Sequence, residues 1–198
     1  MNLGFIGIGN IVSDVITGIG KSKIKYKKII ISPRNKKKAL YLKKYFKRVI
    51  IAKNNQEVIN RADWIFLGIL PKVGEAILPK LQFRNKQIIV SFLSTTNYQK
   101  LKKLIKTKSI IIRAIPMPPI RLAKGPVAIF PPNKKVKKFF DKIGTTIEIR
   151  NEKLSKNFWA ISGTMASFYE LLNVLSKWLI RKKTNEKDAQ KYVTLLYS

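Results

Sequence analysis

The sequence contains no cysteine and no histidine. The first absence excludes disulfides, thiolate metal sites and a thiol nucleophile, and the second excludes any triad built on an imidazole. Acidic residues are scarce, ten in 198. A metal would have to rest on carboxylates alone, and no metal ligands are assigned. No apolar run approaches the ~20 residues of a membrane-spanning helix. Nothing before Gly20 resembles a signal peptide, because no positive region precedes the apolar stretch. These absences predict a soluble, cytoplasmic protein with no membrane partner.

Against ten acids stand 41 lysines and arginines, a net charge of +31. Such an excess ordinarily points to nucleic acid or an anionic surface. Here the lysines run through the whole chain in short clusters, Lys21–Lys28, Lys36–Lys38, Lys100–Lys108 and Lys134–Lys138, and they accompany abundant Ile and Asn. No cluster is interleaved with aromatics as in a single-strand binder. The charge therefore reads as a chain-wide bias whose field draws in small phosphorylated or carboxylate ligands, without specific nucleic-acid recognition.

The stretch Leu3–Gly20, LGFIGIGNIVSDVITGIG, organises what is present. Leu3 to Ile6 reads as a buried strand. Gly7-Ile8-Gly9 follows, then apolar residues at helical spacing: Ile11, Val12, Val15, Ile16 and Ile19, with Gly20 in the place of a glycine that ends a helix. Strand, glycine turn and helix form the first half of a βαβ nucleotide site. Gly7 permits the tight turn. Gly9 lets a pyrophosphate approach the backbone, and the free N–H groups near Asn10 and Ile11 face the anion along the helix dipole. The third small residue of G-x-G-x-x-G is Val12 here, which implies wider packing of helix on strand.

Further along, Ile29–Ile31 reads as a second strand, followed by Ser32-Pro33-Arg34-Asn35 and a basic helix from Lys36 to Phe46. The tip of a second βαβ strand faces the adenine ribose, where NAD sites place an acid. No acid occurs between Lys21 and Gln56. Ser32 and Arg34 instead suit a 2′-phosphate, which favours NADP(H). Strands are expected at Val49–Ala52, Trp64–Gly68, Ile88–Ser91, Ile110–Ile112, Val127–Phe130 and Thr146–Ile149. Helices alternate with them, one of them capped at Asn54-Asn55. Ile69-Leu70-Pro71 falls at the carboxyl end of a central strand, where open α/β sheets bind ligands. The alternation predicts a doubly wound, mostly parallel α/β sheet. After Arg150 only helices are expected, broken at Lys182–Asn185, and Leu171, Leu172, Leu175 and Leu179 form a stripe with Trp178 beside it.

Several blocks of this chain together resemble the pyrroline-5-carboxylate reductase family. GFIGIGNI is similar to that family's GFIGxGNM opening, and ISPRN stands at its ribose-phosphate turn. NNQEVINRADWIFLGILP resembles its N-x-E-x-V-x-x-A-D-V-V-F-L-A-V-K-P block. IPMPPIRLAKGPVAIF lies where the family has M-P-N-T-P-A-x-x-x-x-G-x-T-A-L. AISGTMASFYELLNVLS resembles the segment A-L-S-G-S-G-P-A-Y that opens its helical domain.

The resemblance implies a Rossmann-like NADP(H)-binding domain over residues 1–150 and part of a helical dimerisation and substrate domain over 151–198. It implies hydride transfer to the C=N carbon of a cyclic imine carboxylate, 1-pyrroline-5-carboxylate or a close analogue, forming proline. Cofactor residues by position are Gly7, Gly9, Asn10, Ile11, Ser32, Arg34, Asn55, Ile69 and Leu70. Ser162, Gly163 and Thr164 would hold the substrate carboxylate. The family's lysine before proline is Leu70 here, its Asn-Thr is Met117-Pro118, and its S-G-S-G-P-A reads Ser162-Gly163-Thr164-Met165-Ala166-Ser167. The substrate side thus departs more than the cofactor side. The family's helical domain also continues through further helices with an S-P-G-G-T motif. The expectation is therefore either a shortened chain or a short relative with an altered pocket. Two alternatives stand beside imine reduction: a related NADP-dependent imine or carbonyl reductase, and a non-catalytic nucleotide-binding homologue. The leucine stripe, with the family's helices packing between protomers, predicts a homodimer held through residues after about Phe158.

Overall fold

Eight short strands make one sheet in the computed structural model, which describes residues 1–197. They are β1 (Leu3–Ile6), β2 (Ile29–Ile31), β3 (Val49–Ile51), β4 (Trp64–Leu67), β5 (Ile88–Ser91), β6 (Ile110–Pro116), β7 (Pro126–Phe130) and β8 (Thr145–Glu148), in the spatial order β3-β2-β1-β4-β5-β6-β7-β8. The first six are parallel. β7 runs antiparallel to β6, and β8 is parallel to β7. The doubly wound, mostly parallel expectation holds. β6 extends four residues beyond the expected Ile112, to Pro116, because it pairs there with the returning β7. The proline-rich segment after it is a 3-10 turn, Pro118–Leu122.

Strands β1 to β4 carry no polar side chain, as expected where both faces of a sheet are covered. Alternate residues feed two cores. Leu3, Phe5, Ile29, Ile31, Trp64, Phe66, Ile88 and Val90 enter one, and Ile6, Ile30, Ile65, Leu67 and Ile89 the other. Phe5 and Phe66, paired in register on β1 and β4, stack with ring centroids 4.5 Å apart.

Helices α1 (Asn10–Lys21), α2 (Lys36–Tyr45), α3 (Asn55–Arg61), α4 (Pro71–Ile77), α5 (Tyr98–Leu104) and α6 (Lys134–Phe140) cover this sheet. Asparagine starts four of them. The side chains of Asn35, Asn54, Asn97 and Asn133 each accept a backbone N–H from the first turn. Asn54, not Asn55, is therefore the cap of α3. Gly20 does not end α1, which continues through Lys21. A Cβ at Gly20 would lie 2.3 Å from the Phe46 ring, so this glycine admits a neighbouring aromatic.

The chain divides into two compact units, Met1–Ser155 and Lys156–Ser198. Helix α7 (Glu152–Gly163) begins in the first. There Glu152 accepts from the buried guanidinium of Arg113 at 2.8 Å and from the Tyr98 backbone N–H at 2.5 Å. Burial lowers the Arg113 pKa, and Glu152 opposes that shift. Beyond a break at Thr164 come α8 (Met165–Arg181) and α9 (Glu186–Leu196), joined across the expected Lys182–Asn185 break. Ala189 and Val193 of α9 are buried. The leucine stripe divides. Leu172, Leu175 and Leu179 are half-buried, whereas Leu171 and Trp178 are exposed. Among the described residues no helix is long and apolar enough to cross a membrane.

Candidate functional site

Strand order reverses at β1, which has β2 on one side and β4 on the other. Ligands of open α/β sheets bind outside the carboxyl ends of the strands at such a point. A cavity of about 440 Å³ lies there, and its floor is the turn Gly7-Ile8-Gly9.

Gly7 has φ +88°, and a Cβ on it would lie 2.5 Å from the Gly68 carbonyl oxygen, so conformation and space both require glycine. A Cβ on Gly9 would meet nothing within 4 Å. Gly9 therefore leaves open space at the N-terminus of α1, where it is the cap residue and offers no side-chain hydrogen bond. No acid stands in the first turn of α1. The leading N–H groups of this helix are thus left for an anion.

Val12, at the position of the third glycine, is fully buried. It fits because its strand neighbour has lost a side chain. A Cβ on Gly68 would lie 2.0 Å from Val12 Cγ2. The departure at Val12 is thus matched by a glycine at the end of β4, and the sequence pattern of either residue alone does not reveal this.

The loop after β2 forms the opposite rim. Ser32 is buried, and its Oγ accepts the Gly7 N–H at 2.9 Å. Through this bond Ser32 holds the glycine turn. Asn35 Nδ2 donates to the Ile8 carbonyl at 3.2 Å, while its Oδ1 caps α2. Lys38 Nζ donates to Asn10 Oδ1. Exposed Arg34 and Lys36 line the cavity and bring two cations to this rim. The third wall is Gly68, Ile69, Leu70 and Val73, with Leu70 74% exposed.

Of the expected cofactor residues, the cavity gathers Gly7, Gly9, Arg34, Ile69 and Leu70. Asn10, Ile11, Ser32 and Asn55 do not line it. Ile11 packs on the core, and Asn55 is the first residue of α3. Ile8, Asn35, Lys36, Gly68 and Val73 line it without having been expected. Asn35 carried a signal, an asparagine immediately before a helical run.

The substrate-side candidates belong to the second unit. Ser162 Oγ donates to the Phe158 carbonyl at 2.8 Å, and Thr164 Oγ1 to the Ile161 carbonyl at 2.7 Å. Gly163 is exposed, and a Cβ there would meet nothing within 4 Å.

The sheet, the reversal at β1 and the glycine turn at the head of α1 define a Rossmann-like nucleotide-binding fold. Residues 2–95 match the family model described as NADP oxidoreductase, coenzyme F420-dependent. A pyrroline-5-carboxylate reductase of Haemophilus influenzae is 24% identical over 96% of this chain and 73% of its own length. Among solved structures, the Plasmodium falciparum pyrroline carboxylate reductase with NADP bound superposes with a TM-score of 0.83 at 20% identity. The match covers 100% of this chain and 76% of that one. The Streptococcus pyogenes 1-pyrroline-5-carboxylate reductase gives 0.81 at 23% identity, over 100% and 76%. The chain is thus similar in sequence and in fold to pyrroline-5-carboxylate reductases. The expectation of NADP(H) agrees with the description of the matching family model.

Proposed function

We propose that this chain binds NADPH in the cavity at the head of α1 and reduces the C=N bond of a cyclic imine carboxylate, 1-pyrroline-5-carboxylate or a close analogue. The observation that carries the reading is the open space at Gly9. It lies at an uncapped helix N-terminus and opposite Arg34 and Lys36, with no acid at the tip of β2. These residues fit a pyrophosphate with a 2′-phosphate beside it. Bound there, NADPH would supply the hydride to the imine carbon. The chain's own work is to position and to exclude water. The N–H groups of α1 hold the pyrophosphate, and Arg34 and Lys36 balance the 2′-phosphate. Ile69, Leu70 and Val73 give an apolar wall. Ser162, Gly163 and Thr164 receive the substrate carboxylate.

The cofactor half is tested by titrating NADPH and NADH against wild type and Arg34→Ala. A charge-assisted hydrogen bond contributes about 1.5–3 kcal/mol, roughly 10- to 100-fold in affinity. NADPH should bind tighter than NADH by that margin, and Arg34→Ala should erase the difference. Equal affinities in wild type would sink the reading.

The homodimer belongs to the same proposal. Leu171, Val174 and Trp178 are exposed at 46, 47 and 52% along one side of α8, an apolar face suited to a second copy. Trp178→Asp should shift light-scattering mass to monomer at tens of micromolar while the sheet keeps its unfolding midpoint. A wild-type chain that is monomeric at that concentration removes the idea.

A further inference from the structure

A second cavity, about 420 Å³, lies at the opposite end of the strands. Trp64, the first residue of β4, lines it, whereas the nucleotide cavity is lined by Gly68 just past the last residue of that strand. A four-residue strand spans roughly 13 Å, so the two cavities are separate. The floor of the second is apolar. Ile24, Trp64 and Phe139 are 7, 9 and 5% exposed, and the two rings stand 4.9 Å apart. The Trp64 indole N–H has no hydrogen-bond partner among the described residues.

The rim carries five lysines: Lys23, Lys25, Lys135, Lys138 and Lys142. Two separate segments deliver them. Lys23 and Lys25 flank buried Ile24 between α1 and β2. Lys135, Lys138 and Lys142 recur at i, i+3 and i+7 along α6 and the turn after it, and so share one face. No carboxylate lines the cavity, and none of the five is in an ion pair among the described residues. The nearby Asp141 is occupied by Lys137 and by the Thr146 N–H. Five like charges around one low-dielectric pocket repel one another and focus a positive potential into it. A chain-wide excess of lysine accounts for charge on the surface. It does not account for an aromatic floor beneath that charge.

We propose that this cavity is a second ligand site, for a small organic anion bearing two or more negative charges on a flat ring. The ring would lie against Trp64 and Phe139 and the anionic groups among the lysines. The charged group can be phosphate or carboxylate, and both are consistent with a lysine rim.

The test uses 8-hydroxypyrene-1,3,6-trisulfonate, a fluorescent ring carrying three sulfonates, titrated into the full chain. One saturable equivalent is expected. Lys138→Glu/Lys142→Glu should weaken it at least tenfold, and Lys25→Glu, on the other segment, should do so independently if the first variant fails to fold. Lys102→Glu/Lys103→Glu on α5 removes the same charge elsewhere and should weaken it less than threefold. Arg34→Glu should leave it unchanged. Displacement by adenosine triphosphate or by benzene-1,3,5-tricarboxylate then names phosphate or carboxylate as the preferred group. Equal losses in the two double variants would reduce the effect to overall charge. A loss with Arg34→Glu would place the probe in the nucleotide cavity. Non-saturating binding, or displacement by neither competitor, would likewise overturn the proposal.

Discussion

The two units of this chain handle apolar residues in opposite ways. In Met1–Ser155 the strands send every second side chain to each face, and the large residues Phe5, Phe66 and Phe140 are fully buried. Among the described residues of Lys156–Ser198 the only buried apolar ones are Ala189 and Val193, while Phe158, Ile161, Leu171, Val174, Trp178, Tyr192, Leu195 and Leu196 are exposed. The lesson is that composition alone does not make a core. Both units carry leucine, isoleucine and aromatics, but only the sheet gives them two covered faces. About forty helical residues are too few to close a core of their own.

The sharpest test of this contrast is a pair of truncations. Phe66 stacks on Phe5 and touches Phe92, Phe139 and Phe140 with centroids 4.5–6.5 Å away. Phe66→Ala should cost about 3–5 kcal/mol, the range for a buried aromatic. Trp178→Ala, measured by urea denaturation at a concentration where the chain is monomeric, should change stability by less than about 0.5 kcal/mol. Comparable losses in the two variants would break the comparison.

A smaller effect probes how tightly the sheet unit is packed beside its nucleotide site. Gly68→Ala places a methyl 2.0 Å from Val12 Cγ2, too close for relaxation of one side chain. Overpacking of this kind costs about 1–3 kcal/mol. Val12→Ala in the same chain should recover most of it, and that recovery, read as a double-mutant cycle, separates the clash from a general intolerance at Gly68. Additive losses would show that the two residues are not the complementary pair described here.

How much of this was legible beforehand depends on the range of the interaction. The strands, the glycine turn and the asparagine caps announce themselves within a few residues, through apolar runs and through Gly7, Gly9 and Asn54. Contacts that join distant segments leave no such mark. Ser32 and Gly7 are 25 residues apart, and Asn35 and Ile8 are 27. The Ser32 hydroxyl accepts the Gly7 N–H, a contact that its position after β2 does not announce. Gly20 looked like a helix end because a glycine after an apolar stripe usually is one, and the Phe46 ring that requires it arrives from the residue just past α2. The antiparallel β7 was equally invisible, since a strand's own residues do not state its direction. The leucine stripe was read as one face because spacing alone does not say which side α9 will cover.

The smallest expected effect concerns a charge on α1 and should be confined to the sheet unit. Asp14 is half-buried, and burial raises its pKa above the ordinary carboxylate value, against the opposing pull of Arg121, 3.9 Å away, and of Lys38. The folded chain therefore holds the Asp14 proton more tightly than the unfolded chain does. The stabilisation that follows is complete below the unfolded value of 3.8 and is lost as pH rises through the folded value. At neutral pH the ionised carboxylate is a net cost. Asp14→Asn should raise stability at pH 7 by less than about 1 kcal/mol and flatten the decline just above pH 4. Hydrogen exchange read by segment should show the gain in α1 and the strands beneath it, with α8 and α9 unchanged. A loss of stability at pH 7 would mean that the Arg121 and Lys38 attractions outweigh burial. A gain that reached α8 and α9 equally would mean that the two units unfold as one, against the contrast drawn from their cores.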